Sequence, residues 1–146
     1  MSLPKSHIPL VSIVMPVFNA MPYLAKALDT LQSQTLEDFE LLCIDDASQD
    51  GSDLLLQEYA AKDPRMRLLR QAHSGAAIAR NLGMEHATGK YIMFLDADDW
   101  FDQVMLEHAV NKAEITQAEV VIFDAYKYYI SDQTIKEPSH YLRKKF

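Results

Sequence analysis

Three of the four residues Asp96-Ala97-Asp98-Asp99 carry carboxylates, and a cluster that dense has a physical cost. Neighbouring carboxylates repel one another and hold their protons more tightly unless a cation lies between them. A divalent cation removes the conflict. Mg2+ or Mn2+ prefers an octahedron of oxygens, in which one or two carboxylates are completed by water and phosphate oxygens. That chemistry suits a diphosphate leaving group. The competing reading is structural: Asp98 and Asp99 can cap a following helix and favour its positive N-terminal end. The apolar run Tyr91-Ile92-Met93-Phe94-Leu95 weighs toward chemistry, because it predicts that Asp96 emerges from a buried strand, where an unpartnered charge is costly.

A second acidic pair, Asp45-Asp46, closes the apolar run Phe39 to Ile44. Asp50-Gly51 is an ordinary turn signal and Ser52 an ordinary helix cap, so a structural role competes with a chemical one here as well. A carboxylate in this position can accept the imide N–H of a uracil ring. Cys43 lies inside the same run and reads as a small buried hydrophobe rather than a nucleophile. The five histidines show no His-Glu-x-x-His pattern and no pairing with Cys43, which argues against zinc.

The elements that must position these residues alternate. Val11 to Val17, Phe39 to Ile44, Met66 to Leu69, Tyr91 to Leu95 and Val120 to Tyr126 read as strands. Between them, Leu24, Ala27, Leu28 and Leu31 recur at helical spacing after Pro22, and Ser52 is placed to cap a helix that ends before Asp63-Pro64. A third helix runs from about Gly75 to His86, and Gly83 inside it marks close packing. A fourth pattern, Val104, Leu106, Ala109, Val110 and Ala113, precedes the fifth strand. Such alternation predicts an α/β fold: a mostly parallel sheet flanked by helices on both faces. Ligands of such sheets sit outside the carboxyl ends of the strands. Asn19, Asp45-Asp46, His73-Ser74-Gly75 and Asp96 to Asp99 all fall there, so four polar segments are expected to converge on one crevice.

With 146 residues, about half of them apolar, the chain can bury one substantial core. Its net charge of -7 gives no field to gather nucleic acid. No apolar stretch approaches the roughly 18 residues of a membrane span, and one cysteine builds no disulfide framework. The expectation is a cytoplasmic protein, peripheral at most to the inner face of the membrane. Residues 1–9 read as a leader, 10–130 as the ligand-binding domain and 131–146 as the tail of a truncated chain; self-association as a homo-oligomer stays open.

Several linked motifs carry a resemblance. Val11 to Asn19 (VSIVMPVFN) resembles the opening strand of family 2 glycosyltransferases with the GT-A fold. Phe39 to Ser48, Gly75 to Gly83 with Ala79-Arg80-Asn81, and Gly89-Lys90-Tyr91-Ile92 leading into Asp96-Ala97-Asp98-Asp99 follow in the family's order, over roughly residues 10 to 125. The resemblance implies a Rossmann-like half that binds a nucleotide-sugar donor, a UDP-sugar first, for transfer to a glycan, lipid or small-molecule acceptor. It implies Pro16 and Phe18 in the base pocket with Asn19 beside them, Asp46 on uracil and backbone at Gly75 close to the nucleotide. Asp96 would lie near the ribose and the cation, Mn2+ or Mg2+, and Asp98 would bind that cation. His73 stands where many members have Asn. Inversion at the anomeric carbon is implied, with an acidic general base beyond Phe146, so this chain is expected to bind donor without efficient transfer. Asp124 and Asp132 have no motif to support them as that base.

Two other functions compete. A receiver-like phosphoacceptor domain could draw a magnesium pocket from Asp45-Asp46 and Asp96, but its acidic pair usually follows the first strand, which here ends Pro16-Val17-Phe18-Asn19. A non-catalytic nucleotide-sugar-binding module is the other, and the intact acidic motif weighs against it. A dinucleotide site is weaker, since no Gly-x-Gly-x-x-Gly follows the first strand.

Overall fold

The computed structural model describes residues 7–129 and 134–136. They fall into two compact units divided between Glu107 and His108.

The first unit is a four-stranded parallel sheet in the order β3-β2-β1-β4, where β1 is Val11–Val17, β2 Phe39–Asp45, β3 Met66–Arg70 and β4 Tyr91–Phe94. Every residue of β1 and β2 is buried, as expected of inner strands of a parallel sheet covered on both faces. Helix α1, Met21–Gln32, starts with proline in its first turn and buries Leu24, Ala27, Leu28 and Leu31. Helix α2, Ser52–Ala60, follows β2, and α3, Ala76–His86, follows β3.

The strand order fixes which helix covers which face. The chain steps from β1 to β2 to β3 in one direction, then crosses back through α3 to reach β4 on the far side of β1. With right-handed crossovers, α1 and α2 share one face and α3 takes the other. On the α3 face, Val14, Leu42, Ile44 and Ala79 form one buried cluster. Gly83 is what lets the helix approach: a Cβ there would lie 2.4 Å from Val14 Cγ1 and 2.8 Å from Ile44 Cδ1. Glycine in mid-helix costs about 1 kcal/mol relative to alanine, and the close contact offsets it. At the opposite end of the sheet, buried Glu40 accepts hydrogen bonds from Ser12 Oγ, Thr88 N and Thr88 Oγ at 2.6, 2.7 and 2.8 Å, and pairs with Arg67 at 3.0 Å.

Three expectations need correction. Ser52 does not cap α2; Gly51, at φ 94°, precedes the helix, and the Ser52 hydroxyl accepts the Ala20 amide at 2.9 Å. The turn after β1 competes for that oxygen and takes it. Strand β4 is half exposed and forms an edge of the sheet among the described residues, so Asp96 does not leave a buried strand. Its apolar residues reflect β-propensity rather than depth. Finally, residues 120–126 are not a strand, and Val120, Ile122 and Tyr126 are exposed, because β-branched propensity supplies no partner to pair with.

Helix α4, Met105–Thr116, spans the division between the units; in its first turn the Leu106 amide donates to Gln34 Oε1 at 3.1 Å. The second unit also holds a two-stranded antiparallel ribbon, β5 Lys127–Tyr129 with β6 Thr134–Lys136. Most of the tail reading, including Asp132, lies outside the described residues. Among the described residues no helix is long and apolar enough to cross a membrane.

Candidate functional site

The strand order reverses between β1 and β4, and open α/β sheets bind ligands in the crevice at that point. A cavity of about 320 Å3 lies there. Pro16, Phe18 and Asn19 enter it from the end of β1, Asp46 from the end of β2, Ala76 and Arg80 from α3, and Asp96 and Asp98 from beyond β4. Three of the four polar segments expected to converge thus reach one cavity, and the fourth, His73-Ser74-Gly75, joins through Asp46.

Asp46 is the most heavily bonded group of the site. It is 2% exposed. Its Oδ1 accepts from Gln71 Nε2 at 2.7 Å and from the Ser74 amide at 2.8 Å. Its Oδ2 accepts from the Gly75 amide at 2.9 Å and lies 2.9 Å from His73 Nδ1. Burial alone would raise the Asp46 pKa, but the hydrogen bonds from Gln71, Ser74 and Gly75 and the nearby His73 outweigh it and hold the carboxyl below its ordinary range. Gly75 sits at φ 90°, a conformation that glycine reaches without steric cost and that turns its amide onto Asp46.

The base of the cavity is stitched. The Asn19 amide donates to Ser48 Oγ at 3.1 Å, Asn19 Oδ1 accepts from the Gln49 amide at 2.9 Å, and Asp50 Oδ2 accepts from the Met21 amide at 3.0 Å. Asn19 and Ala47 both adopt positive φ, 49° and 64°. Alanine pays for that conformation, at roughly 1–2 kcal/mol, directly beside Asp46. Phe18 is 47% exposed and stacks on the His73 ring, centroids 4.3 Å apart.

On the other wall, one carboxylate oxygen from each of Asp96, Asp98 and Asp99 lies within 4.8 Å of the others. All three residues are exposed. Burial and the charges of Asp98 and Asp96 raise the Asp99 pKa, the proton-holding expected of crowded carboxylates. Arg80 Nη2 meets Asp96 Oδ1 at 2.5 Å. The cluster does not cap α4, which begins at Met105; instead the Asp99 amide closes a turn on the Asp96 carbonyl at 3.0 Å. Hard oxygen donors gathered without nitrogen or sulfur suit Mg2+ or Mn2+. Sequence reasoning missed Tyr23 and Ala76 in the cavity wall and gave Arg80 no role of its own; Tyr23, one residue past Pro22, faces the same end of the sheet. Cys43 is fully buried, and burial pushes its thiol far above the usual range, which excludes it as a nucleophile.

Residues 12–146 match the model of the family described as Glycosyl transferase family 2. The chain belongs to that family. It is 37% identical over 131 residues to an uncharacterized glycosyltransferase, EpsJ, of Bacillus subtilis (strain 168), an alignment covering 90% of this chain and 38% of that protein. It is 31% identical over 122 residues to the glycosyltransferase GlyA of Streptococcus pneumoniae, covering 84% of this chain and 18% of GlyA. The chain therefore spans well under half the length of these relatives. Among solved structures, S. aureus TarS 1–349 in complex with UDP superposes with a TM-score of 0.69 at 24% identity, over 73% of this chain and 32% of that one. Mannosyltransferase PcManGT from Pyrobaculum calidifontis, in complex with GDP-Man and Mn2+, gives 0.67 at 27% identity, over 74% and 33%. The fold is that of the GT-A glycosyltransferases.

Proposed function

We propose that this chain is the nucleotide-sugar-binding part of a glycosyltransferase, one that holds its donor between the Asp46 network and the acidic turn and passes the sugar to a glycan, lipid or small-molecule hydroxyl. The observation that carries this reading is the convergence of both groups on one cavity at the switch point of the sheet. Phe18 and Pro16 offer apolar surface to a base, Asn19 and the Gly75 backbone lie beside it, and Asp96 is within reach of ribose. Asp98, with Asp96, would hold the divalent cation, Mn2+ or Mg2+.

When bound, the cation supplies Lewis-acid stabilisation of the charge that develops on the departing nucleoside diphosphate. The chain's own residues do the rest of the binding. Asp46 fixes the loop that carries His73 to Gly75, Asp98 and Asp96 supply anionic oxygens, and Arg80 places a guanidinium where a diphosphate can be met bidentately. The neighbours' UDP, UDP-GlcNAc and GDP-Man complexes support a nucleotide-sugar donor, and PcManGT's Mn2+ supports the ion. A uridine donor is the first choice. Inversion with an acidic base contributed from outside these residues completes the reading.

Isothermal titration of UDP in the presence of Mn2+ tests it. Wild type should give a binding isotherm that the Asp98→Ala variant loses. Equal heats for the two proteins would remove Asp98 from the cation site.

A further inference from the structure

The acidic turn is tied down on both sides. Before it, the Leu95 amide donates to the Val14 carbonyl at 3.2 Å. After it, residues 100–104 form neither helix nor strand, yet they follow a stripe of residues spaced four apart: Lys26 and Thr30 on α1, and Gln34 just past its end. Residues at that spacing share one face of a helix. Lys26 Nζ lies 3.4 Å from the centroid of the Trp100 ring, Thr30 Oγ1 accepts the Phe101 amide at 3.3 Å, and Gln34 Nε2 donates to the Asp102 carbonyl at 2.7 Å. The stripe and the segment run in the same order.

Gln34 makes the most of these ties. It is 5% exposed, and both ends of its amide are used: Nε2 also donates to the Thr30 carbonyl at 3.0 Å, and Oε1 accepts the Leu106 amide at 3.1 Å. A buried amide is costly unless satisfied, and a satisfied one fixes the groups around it. What it fixes is the exit of a turn whose three exposed carboxylates repel one another. Resting on the proposed cation site, we infer that Gln34 is a positioning residue for that site: through Asp102 and Leu106 it sets where the chain leaves the turn, and so where Asp98 and Asp99 place their oxygens. It touches neither ion nor donor. Mg2+ demands a near-ideal octahedron, so a turn free to spread would hold the ion less well.

The test titrates Mn2+ into the 146-residue chain at a temperature where circular dichroism shows each variant folded. Affinity is read from the free-ion electron paramagnetic resonance signal, and the water left on the bound ion from water-proton relaxation. Gln34→Met keeps the length of the side chain and removes all three hydrogen bonds. It should bind Mn2+ about tenfold more weakly, the lower end of what losing an outer partner costs a metal site. Relaxation per bound ion should rise, because water replaces a lost protein oxygen. Gly83→Ala crowds Val14 and Ile44 on the other face of the sheet and serves as the destabilised control, with wild-type affinity and relaxation. If Gln34→Met does not fold, Thr30→Val carries the test: it removes the acceptor of the Phe101 amide and should weaken Mn2+ binding about threefold. Wild-type affinity and relaxation in a folded Gln34→Met, or in Thr30→Val where that variant stands in, overturn the inference and leave these residues a structural role alone. Equal losses in Gln34→Met and Gly83→Ala overturn it too, since general stability would then govern binding. Failure of the wild type to bind Mn2+ overturns the cation site itself, a separate result.

Discussion

Arg80 on α3 pairs with Asp96 beyond β4 at 2.5 Å, so one of the three clustered carboxylates already shares its charge with a cation of the protein. The Arg80 and Asp96 side chains are 34% and 49% exposed, so the pair itself contributes little to stability. Its consequence is for binding. A guanidinium beside the acidic turn competes with a divalent ion for Asp96, yet adds positive charge where a diphosphate would lie. Arg80→Met should therefore tighten binding of Mn2+ alone slightly, about twofold, and weaken UDP binding in the presence of Mn2+ roughly tenfold. Calorimetry of the metal and of the nucleotide separates the two effects. Unchanged affinity for both the metal and the nucleotide would make Arg80 a structural brace only.

Metal addition and removal should register in thermal stability. Asp99 holds its proton more tightly than an ordinary carboxylate, so the folded state is favoured when it is protonated, and the ionised cluster costs stability at neutral pH. A cation offsets that cost. Mn2+ at 100 times its Kd should stabilise the wild type by about 2.7 kcal/mol, EDTA should reverse the shift, and Asp98→Ala should show none. Because protons compete for the same oxygens, the metal-induced rise in Tm should shrink as pH falls toward about 5 and into the carboxylate range.

Glu40 behaves in the opposite sense. Burial would raise its pKa, but hydrogen bonds from Ser12 and Thr88 and the Arg67 guanidinium outweigh this and hold it below the ordinary range. Ionised Glu40 thus contributes stability that is fully present above the unfolded-state value, about 4.3, and is lost as pH falls through the lower folded value. Glu40→Gln leaves one acceptor oxygen for three donors and turns an amide toward Arg67. At pH 7 it should lower the unfolding free energy by about 2 kcal/mol, and the gap from wild type should close below about pH 4. Urea denaturation at a series of pH values measures both; a gap independent of pH would mean that shape, not charge, is what Glu40 supplies.

Much of this arrangement was legible in the sequence because it depends on period and order. The four parallel strands and the helices between them follow from apolar runs and spacing, and the strand ends carry Asn19, Asp46, Gly75, Asp96 and Asp98 to one rim. What was not legible depends on who wins a shared partner. Ser52 looks like a cap from its neighbours, but its hydroxyl goes to Ala20, 32 positions away. Residues 120–126 have strand composition without a strand to pair with among the described residues. The bonding of Asp46 needs distances, since the sequence shows an acidic strand end and not that Gln71, Ser74 and Gly75 all donate to it.

Two glycines should separate the stability of the sheet from the geometry of its acidic turn. At Gly83, alanine gains about 1 kcal/mol of helix propensity, but its methyl would meet Val14 and Ile44 at 2.4 and 2.8 Å, and both are fully buried. Overpacking of that kind costs roughly 1–3 kcal/mol, so Gly83→Ala should destabilise on balance, while Asp96, Asp98 and Asp99 lie in the turn beyond β4 and not on α3. At Gly89, a Cβ would meet backbone instead, Ser12 N at 2.6 Å and the Val11 carbonyl carbon at 2.8 Å, and the Gly89 amide also donates to Ser12 Oγ at 2.8 Å. Backbone cannot rotate away, so β4 must shift against β1, and β4 leads directly into Asp96 and Asp98. Gly89→Ala should therefore lose both stability and Mn2+ affinity, the latter by more than tenfold if the ligands move by about an ångström, whereas Gly83→Ala should lose stability with Mn2+ affinity unchanged. Metal titrations on both variants at a temperature where each remains folded decide the matter, and equal Mn2+ affinity in the two would uncouple the β1–β4 register from the acidic turn.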